Sequence, residues 1–194
     1  MINKILPSAA DAVYGVHDGA VILCGGFASC GFADELLEAL HAHGARNLTL
    51  VANNPEVSER GMVLLLRDQR ISKLVCSYSR LEGTALIEDL IDDGMELEII
   101  PQGTLAERLR AGGAGIGGFY TRTGVGTVIA DGKDVKVFDG KEYILETGIV
   151  ADISIVKAWK ADPSGNLMFR KTARNFNPPA ASAGKVCICE VEEI

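Results

Sequence analysis

The chain has 194 residues, 47% of them hydrophobic, and a net charge of −7. It can bury a substantial core within one domain spanning residues 1–194, and its acidic balance argues against a nucleic-acid-binding surface, which would show a basic face. No apolar run approaches the roughly 18 residues of a membrane span, and the opening MINKILPSAADAV lacks the apolar stretch of a signal peptide. A cytoplasmic protein with no membrane contact is expected.

Ala9, Ala10, Val13 and Val16 recur at helical spacing, which predicts a short helix within residues 1–17, closed by Asp18-Gly19. An apolar strand over 20–24 then stops at Gly25-Gly26, and Gly31 stands just before a helix at about 33–43 that ends at Gly44. This is strand, glycine loop and helix start. Glycines allow close approach of another group, and the first N–H groups of a helix can receive an anion, so a negatively charged ligand or an acyl oxygen is the expected guest. The spacing is not GxGxxG, and glycine used only for packing is the competing reading.

A strand at 48–52 completes a β-α-β unit and is apolar as in a buried parallel sheet. Asn53-Asn54-Pro55 follows at its carboxyl end, the edge where open α/β sheets bind ligands, although asparagine there also closes turns. A helix at 61–69, a strand at 73–77, a helix at 84–93 stopped by Gly94 and a strand at 96–100 continue the alternation. Gln102 stands just before a further helix, for which Thr104 and Glu107 suggest a capping box. Residues 111–127 hold seven glycines in seventeen positions without the Lys-Ser/Thr ending of a P-loop, and read as a long flexible loop over a site or subunit contact.

Beyond Val128 the pattern changes to hairpins. Asp131-Gly132 and Asp139-Gly140 are turn signals flanking strands at 135–138 and 142–146, and strands at 153–159 and 167–170 enclose the turn at 162–166. Lys157, Lys160, Arg170, Lys171 and Arg174 give this half a positive bias, either as a solvated face or to capture phosphates. A last strand covers 185–189. Cys24, Cys30, Cys76, Cys187 and Cys189 form an odd set without CxxC. No histidine spacing matches them, so they read as reduced, buried thiols and no metal is expected.

Taken in order, these motifs resemble the alpha subunits of family I coenzyme A transferases over essentially the whole chain. The likeness rests on Asp18-Gly19 with Gly25-Gly26-Phe27 and Gly31, on Asn53-Asn54, on PQGTLAERLRAGGAG from Pro101, and on Thr172 to Pro178. Cys24 and Ala33 depart from the family text, alanine standing where proline is usual. The resemblance implies an α/β fold with a mostly parallel central sheet flanked by helices and β-hairpin additions in the C-terminal half. It also implies a chain shorter than its relatives by a C-terminal tail. The implied activity is transfer of coenzyme A, as substrate rather than bound cofactor, from an acyl-CoA such as succinyl-CoA to a 3-oxo acid such as acetoacetate or 3-oxoadipate. The nucleophilic glutamate is expected on a beta subunit, within a heterodimer or heterotetramer. In this chain the resemblance implies that Gly25, Gly26, Phe27, Ala28, Ser29, Cys30, Gly31, Asn53 and Asn54 bind the CoA or acyl group, with Gln102 supporting catalysis. Ser58-Glu59-Arg60-Gly61 looks superficially like the family's nucleophile loop but lacks its flanking residues, and is read as a surface helix start. An acetate- or butyrate-type transferase subunit, or a ligand-sensing or scaffolding domain of the same fold, stays open.

Overall fold

A computed structural model describes residues 2–56, 59–80 and 84–194 of the chain. In order it forms α1 (Ala9–Val13), β1 (Val21–Cys24), α2 (Asp34–His43), β2 (Leu48–Val51), α3 (Met62–Arg67), β3 (Ile71–Cys76), α4 (Leu86–Asp92), β4 (Glu96–Ile99) and α5 (Gln102–Gly113). Strands β5 (Gly118–Thr121), β6 (Val135–Phe138), β7 (Lys141–Thr147), β8 (Ala151–Ala161) and β9 (Leu167–Met168) follow, then α6 (Asn177–Ala183) and β10 (Gly184–Glu193). The main sheet runs β10-β8-β1-β2-β3-β4, every one of these pairs parallel, with β9 antiparallel on β8. A second sheet, β5-β7-β6, is antiparallel. No described helix is long and apolar enough to cross a membrane.

Strand side chains alternate between faces, and here both faces are apolar. Ile22, Leu50 and Leu74 pack with Leu37, Leu40, Leu65 and Leu66 under α2 and α3. Leu23, Val51 and Val75 pack with Leu105, Leu109, Ala180 and Ala183 of α5 and α6. Full burial of each large apolar side chain stabilises by about 1.5 to 3 kcal/mol, so the strands are held from both sides. All their carboxyl ends emerge at one edge.

Several expected elements are corrected. The first helix is only Ala9–Val13, because Pro7 disfavours helix before it and Ser8 accepts the Asp11 N–H as its cap at 3.1 Å. The capping box at Thr104 does not form. Helix α5 already begins at Gln102, preceded by Pro101 in extended conformation, so Thr104 lies inside the first turn, where its buried hydroxyl has no partner among the described residues, and Glu107 binds Arg110 instead. Asp131-Gly132 is a turn, but it follows the 3-10 turn Val128–Ala130 in the connection from β5 to β6, which do not pair with each other, whereas Asp139-Gly140 turns β6 into β7 with both residues at positive φ, 50° and 71°.

The glycine-rich segment is not a flexible loop. Its first residues finish α5 and 118–121 form β5, and several of its glycines are sites of close contact. A Cβ on Gly112 would lie 1.8 Å from the Ile149 carbonyl oxygen, and one on Gly113 2.4 Å from Ser182 Oγ. Glycine there admits α6 and the chain after β7 against α5. Asn-Pro-Pro opens α6 with proline in its first turn, a start signal that sequence reading passed over.

The small sheet is held to α5 by charge. Glu146, 2% exposed, accepts from Lys133 Nζ at 2.5 Å and lies 3.9 Å from Arg108 Nε. Arg108 also reaches the Thr147 carbonyl at 2.8 Å and Glu98 at 3.3 Å, and Lys73 completes the chain to Glu98 at 2.9 Å. Removing one member of a buried pair leaves the other charge uncompensated. Lys133 and Arg108 keep some solvent access, so Glu146→Ala is expected to destabilise the fold by about 1 to 3 kcal/mol, read as a lower midpoint in urea denaturation. Burial raises the Glu98 carboxyl, but Lys73 and Arg108 outweigh it and hold the group below its ordinary value. Its contribution is therefore present above the unfolded carboxylate pKa and lost as pH falls through the lowered folded one. Glu98→Gln should flatten that part of the acid-stability profile, followed by near-ultraviolet circular dichroism.

Candidate functional site

Four strand ends converge on one edge. Residues 25–31 follow β1, Asn53 and Asn54 follow β2, Ser77 follows β3, and Gln102 opens α5 after β4. This carboxyl edge is the binding edge of open parallel sheets.

The glycine loop is a tight, fixed structure. The Gly25 N–H donates to the Ile155 carbonyl of β8 at 3.0 Å, and Phe27 and Cys30 exchange backbone hydrogen bonds at 3.0 and 2.9 Å. Ala28 between them adopts φ 54°. Gly25 and Gly26 are buried while Phe27, Ala28 and Ser29 are exposed. Gly26 has φ 114°, and a Cβ there would meet the Phe32 ring at 2.6 Å.

The three carboxamides singled out in the sequence form one chain. Gln102 Nε2 donates to Asn53 Oδ1 at 2.8 Å, Asn53 Nδ2 to Asn54 Oδ1 at 2.8 Å, and the same Asn54 oxygen accepts the Ala28 N–H at 2.8 Å. Asn54 Nδ2 returns to the carbonyls of Ala28 and Pro55 at 3.1 and 2.7 Å. Ser77, which sequence reading missed, donates to Asn53 Oδ1 at 2.7 Å and lies 2.9 Å from the Asn53 carbonyl. Asn53 and Asn54 are 3% and 4% exposed, so they grip the loop from beneath. Gln102 is exposed and has amide capacity beyond its bond to Asn53.

Two more asparagines, also missed, hold the loop from the other flank. Asn175 Oδ1 accepts the Gly26 N–H at 3.1 Å and its Nδ2 donates to the Cys30 carbonyl at 3.0 Å. Asn177, fully buried, accepts the Lys157 N–H at 2.9 Å and donates to the carbonyls of Gly31 and Ala173, each at 2.9 Å. The available signal was their place in the 172–178 motif.

The start of α2 does not await an external anion, contrary to the sequence expectation. Glu190 of β10 accepts the Glu35 N–H at 2.9 Å and approaches the Leu36 N–H at 3.4 Å, while its other oxygen takes Lys157 Nζ at 2.8 Å. The orphan donors of the first turn thus meet a carboxylate of the same chain. Lys160 pairs likewise with Glu193 and Arg170 with Glu192, their charges lying 4.6 and 5.2 Å from the Trp159 ring. Three of the five basic residues read as a possible phosphate trap are therefore matched by glutamates of β10. Beside this cluster and the loop lies a cavity of about 330 Å³, whose walls include Ser29, Cys30, Gly31, Trp159 and Arg170.

Glu59 is exposed and bound by Arg67 of α3, which holds its carboxyl below the ordinary value; Ser58 lies outside the described residues. Among the described residues no group of three or more His, Cys, Asp or Glu could hold a metal ion.

Comparison with known proteins gives the chain's family. The family described as coenzyme A transferase matches residues 6–194. Over 193 residues the chain is 51% identical to the A-type subunit of a probable succinyl-CoA:3-ketoacid coenzyme A transferase of Bacillus subtilis, covering 100% of this chain and 81% of that protein. It is 45% identical over 195 residues to the A-type subunit of the 3-oxoadipate CoA-transferase of Pseudomonas putida, covering 100% and 84%. An acyl-CoA transferase of Escherichia coli O157:H7, solved as a thioester complex with CoA, superimposes with TM-score 0.82 at 23% identity. It is matched over 99% of this chain and 42% of its own length, and that likeness concerns the fold alone.

The thiols divide by burial. Burial, assisted by the charge of Glu56, pushes Cys24 up to about 12, and burial pushes Cys76 up to about 11; Cys30 is half-buried and Cys187 exposed, so the expectation of buried thiols fails for Cys187, which β10 carries at the sheet edge. Titration of the native protein with a thiol-specific disulfide reagent at pH 8 is expected to leave Cys24 and Cys76 unmodified until denaturant is added, since the thiolate is the reactive form.

Proposed function

The chain belongs to the coenzyme A transferase family, and from that premise we propose that it is the alpha subunit of a cytoplasmic 3-oxoacid CoA-transferase, working with a second subunit that carries the nucleophilic glutamate. The reading rests above all on whole-length likeness to A-type subunits whose names specify succinyl-CoA with a 3-ketoacid, or 3-oxoadipate. The site geometry supports it with a fixed set of hydrogen-bond donors and a loop that lets another chain approach.

The partner's glutamate attacks the thioester carbonyl of succinyl-CoA. The C–S bond breaks, CoA leaves as thiolate, and a succinyl-glutamyl anhydride forms. The thiolate then attacks the glutamyl carbonyl, breaking its C–O bond, releasing succinate and leaving a glutamyl-CoA thioester. A 3-oxo acid carboxylate repeats the two steps in reverse order, which divides one difficult exchange into easier covalent ones. At each attack the acyl oxygen gains negative charge. In this chain Gln102 and the loop N–H groups of residues 25–31 that have no acceptor among the described residues supply the donors, with Asn53 and Asn54 fixing their position. Donors already in place contribute about 3 to 4 kcal/mol each to the transition state. Glu59, held by Arg67, takes no part.

Mixing the chain with a glutamate-bearing partner subunit should give CoA exchange between succinyl-CoA and acetoacetate or 3-oxoadipate that neither polypeptide gives alone, with the CoA adduct found by mass spectrometry on the partner. Exchange by this chain alone would overturn the assignment. Gln102→Ala should lower kcat about 100-fold in a complex that still assembles.

A further inference from the structure

Donors in the loop can be sorted by what they already bind. The N–H groups of Gly25, Gly26, Phe27, Ala28 and Cys30 all have acceptors within the chain. Those of Ser29 and Gly31 have none among the described residues, and both residues line the 330 Å³ cavity. Their direction follows from peptide geometry. Across a trans peptide the carbonyl of one residue and the N–H of the next point in opposite directions, and the chain has no cis bonds among the described residues. The Cys30 carbonyl is drawn inward by the Phe27 N–H and by Asn175 Nδ2 at 3.0 Å, which turns the Gly31 N–H outward. The Ala28 carbonyl is drawn by Asn54 Nδ2 at 3.1 Å, which turns the Ser29 N–H away from Asn54.

Resting on the function proposed above, we infer that Asn175 is a positioning residue, which aims the Gly31 N–H as a donor to a carboxylate or acyl oxygen, with Asn177 locking the next peptide through the Gly31 carbonyl. Asn175 itself touches no substrate. It is anchored by a donation to the Thr172 carbonyl at 3.0 Å and by accepting the Phe176 N–H at 2.6 Å, so its amide has one orientation. Asn177 excludes any side chain from the loop's entry, since a Cβ on Gly25 would lie 1.9 Å from its Oδ1. One asparagine thus sets the peptide plane and the other keeps the loop seated.

The test uses the assembled two-subunit complex. Asn175→Asp keeps the side-chain shape and the acceptor for Gly26 but loses the donor to Cys30, and Asn177→Ser is made in parallel in case the first variant does not assemble. Asn166→Ala, which alters a turn asparagine bonded to Asp162, is the control with unchanged kcat. Two quantities are read: kcat and KM for succinyl-CoA, and protection of residues 26–32 from hydrogen exchange on adding succinate. The expected result is a fall in kcat of at least tenfold with KM changed less, as for small misplacement of a catalytic donor, together with loss of the succinate-dependent protection. Wild-type kcat and protection in the variants, or a change confined to thermal stability, would overturn the inference. If the wild-type complex shows no CoA exchange, it is the proposed function that fails. The protection experiment then decides the role of Asn175 alone, and absence of protection in the wild-type loop refutes it.

Discussion

The loop at residues 25–31 leaves the sheet edge and has no neighbouring strand to satisfy most of its backbone, and buried or half-buried carboxamides take that place. Asn54 and Asn175 each bind an N–H and a C=O of the 25–31 segment, as a strand would, and Asn177 adds the Gly31 carbonyl. A single hydrogen bond contributes only about 1 kcal/mol net, but a buried polar group left without its partner costs about 1 to 3. The network therefore acts as a unit, in which Ser77, Asn53 and Gln102 extend the same grip across three further strand ends.

Glycine serves this architecture chiefly as space. Gly25 is glycine because Asn177 occupies the place of its Cβ, and Gly112 because the Ile149 carbonyl passes against α5. Close-packed interiors admit no extra methyl group without movement. A glycine-dense segment that sequence statistics would assign to mobility is instead where helix, small sheet and α6 approach one another most closely.

Charge is likewise organised inward. Strand β10 brings Glu190, Glu192 and Glu193 to Lys157, Arg170 and Lys160, and Glu190 serves at once as ion-pair partner and as cap for α2. The carboxylate substitutes for a side-chain cap that Ala33 cannot provide and complements the positive end of the helix dipole. Three of the five residues that read as a basic region along the chain are matched in space, because the opposing charges lie 22 to 33 residues later.

Much of the fold was readable from residue order alone. Short, nearly continuous apolar runs alternating with segments of helical spacing identify β1 to β4 and α2 to α4, because the burial of a helix stripe or of both strand faces is a local property of the sequence. The carboxyl ends of parallel strands share an edge whatever their length, which put Asn53, Asn54 and Gln102 near one another, but it was the resemblance to the transferase family that made them candidate site residues. The roles of Asn175, Asn177, Ser77 and Glu190 were not readable. Each acts through a partner that is distant in sequence, up to 155 residues for Glu190 and Glu35, and neither periodicity nor spacing encodes which distant groups a folded sheet will bring within 3 Å. Local chemistry determined the elements and the edge; the packing of β8 and α6 against β1 decided which loop N–H groups are left without an acceptor among the described residues.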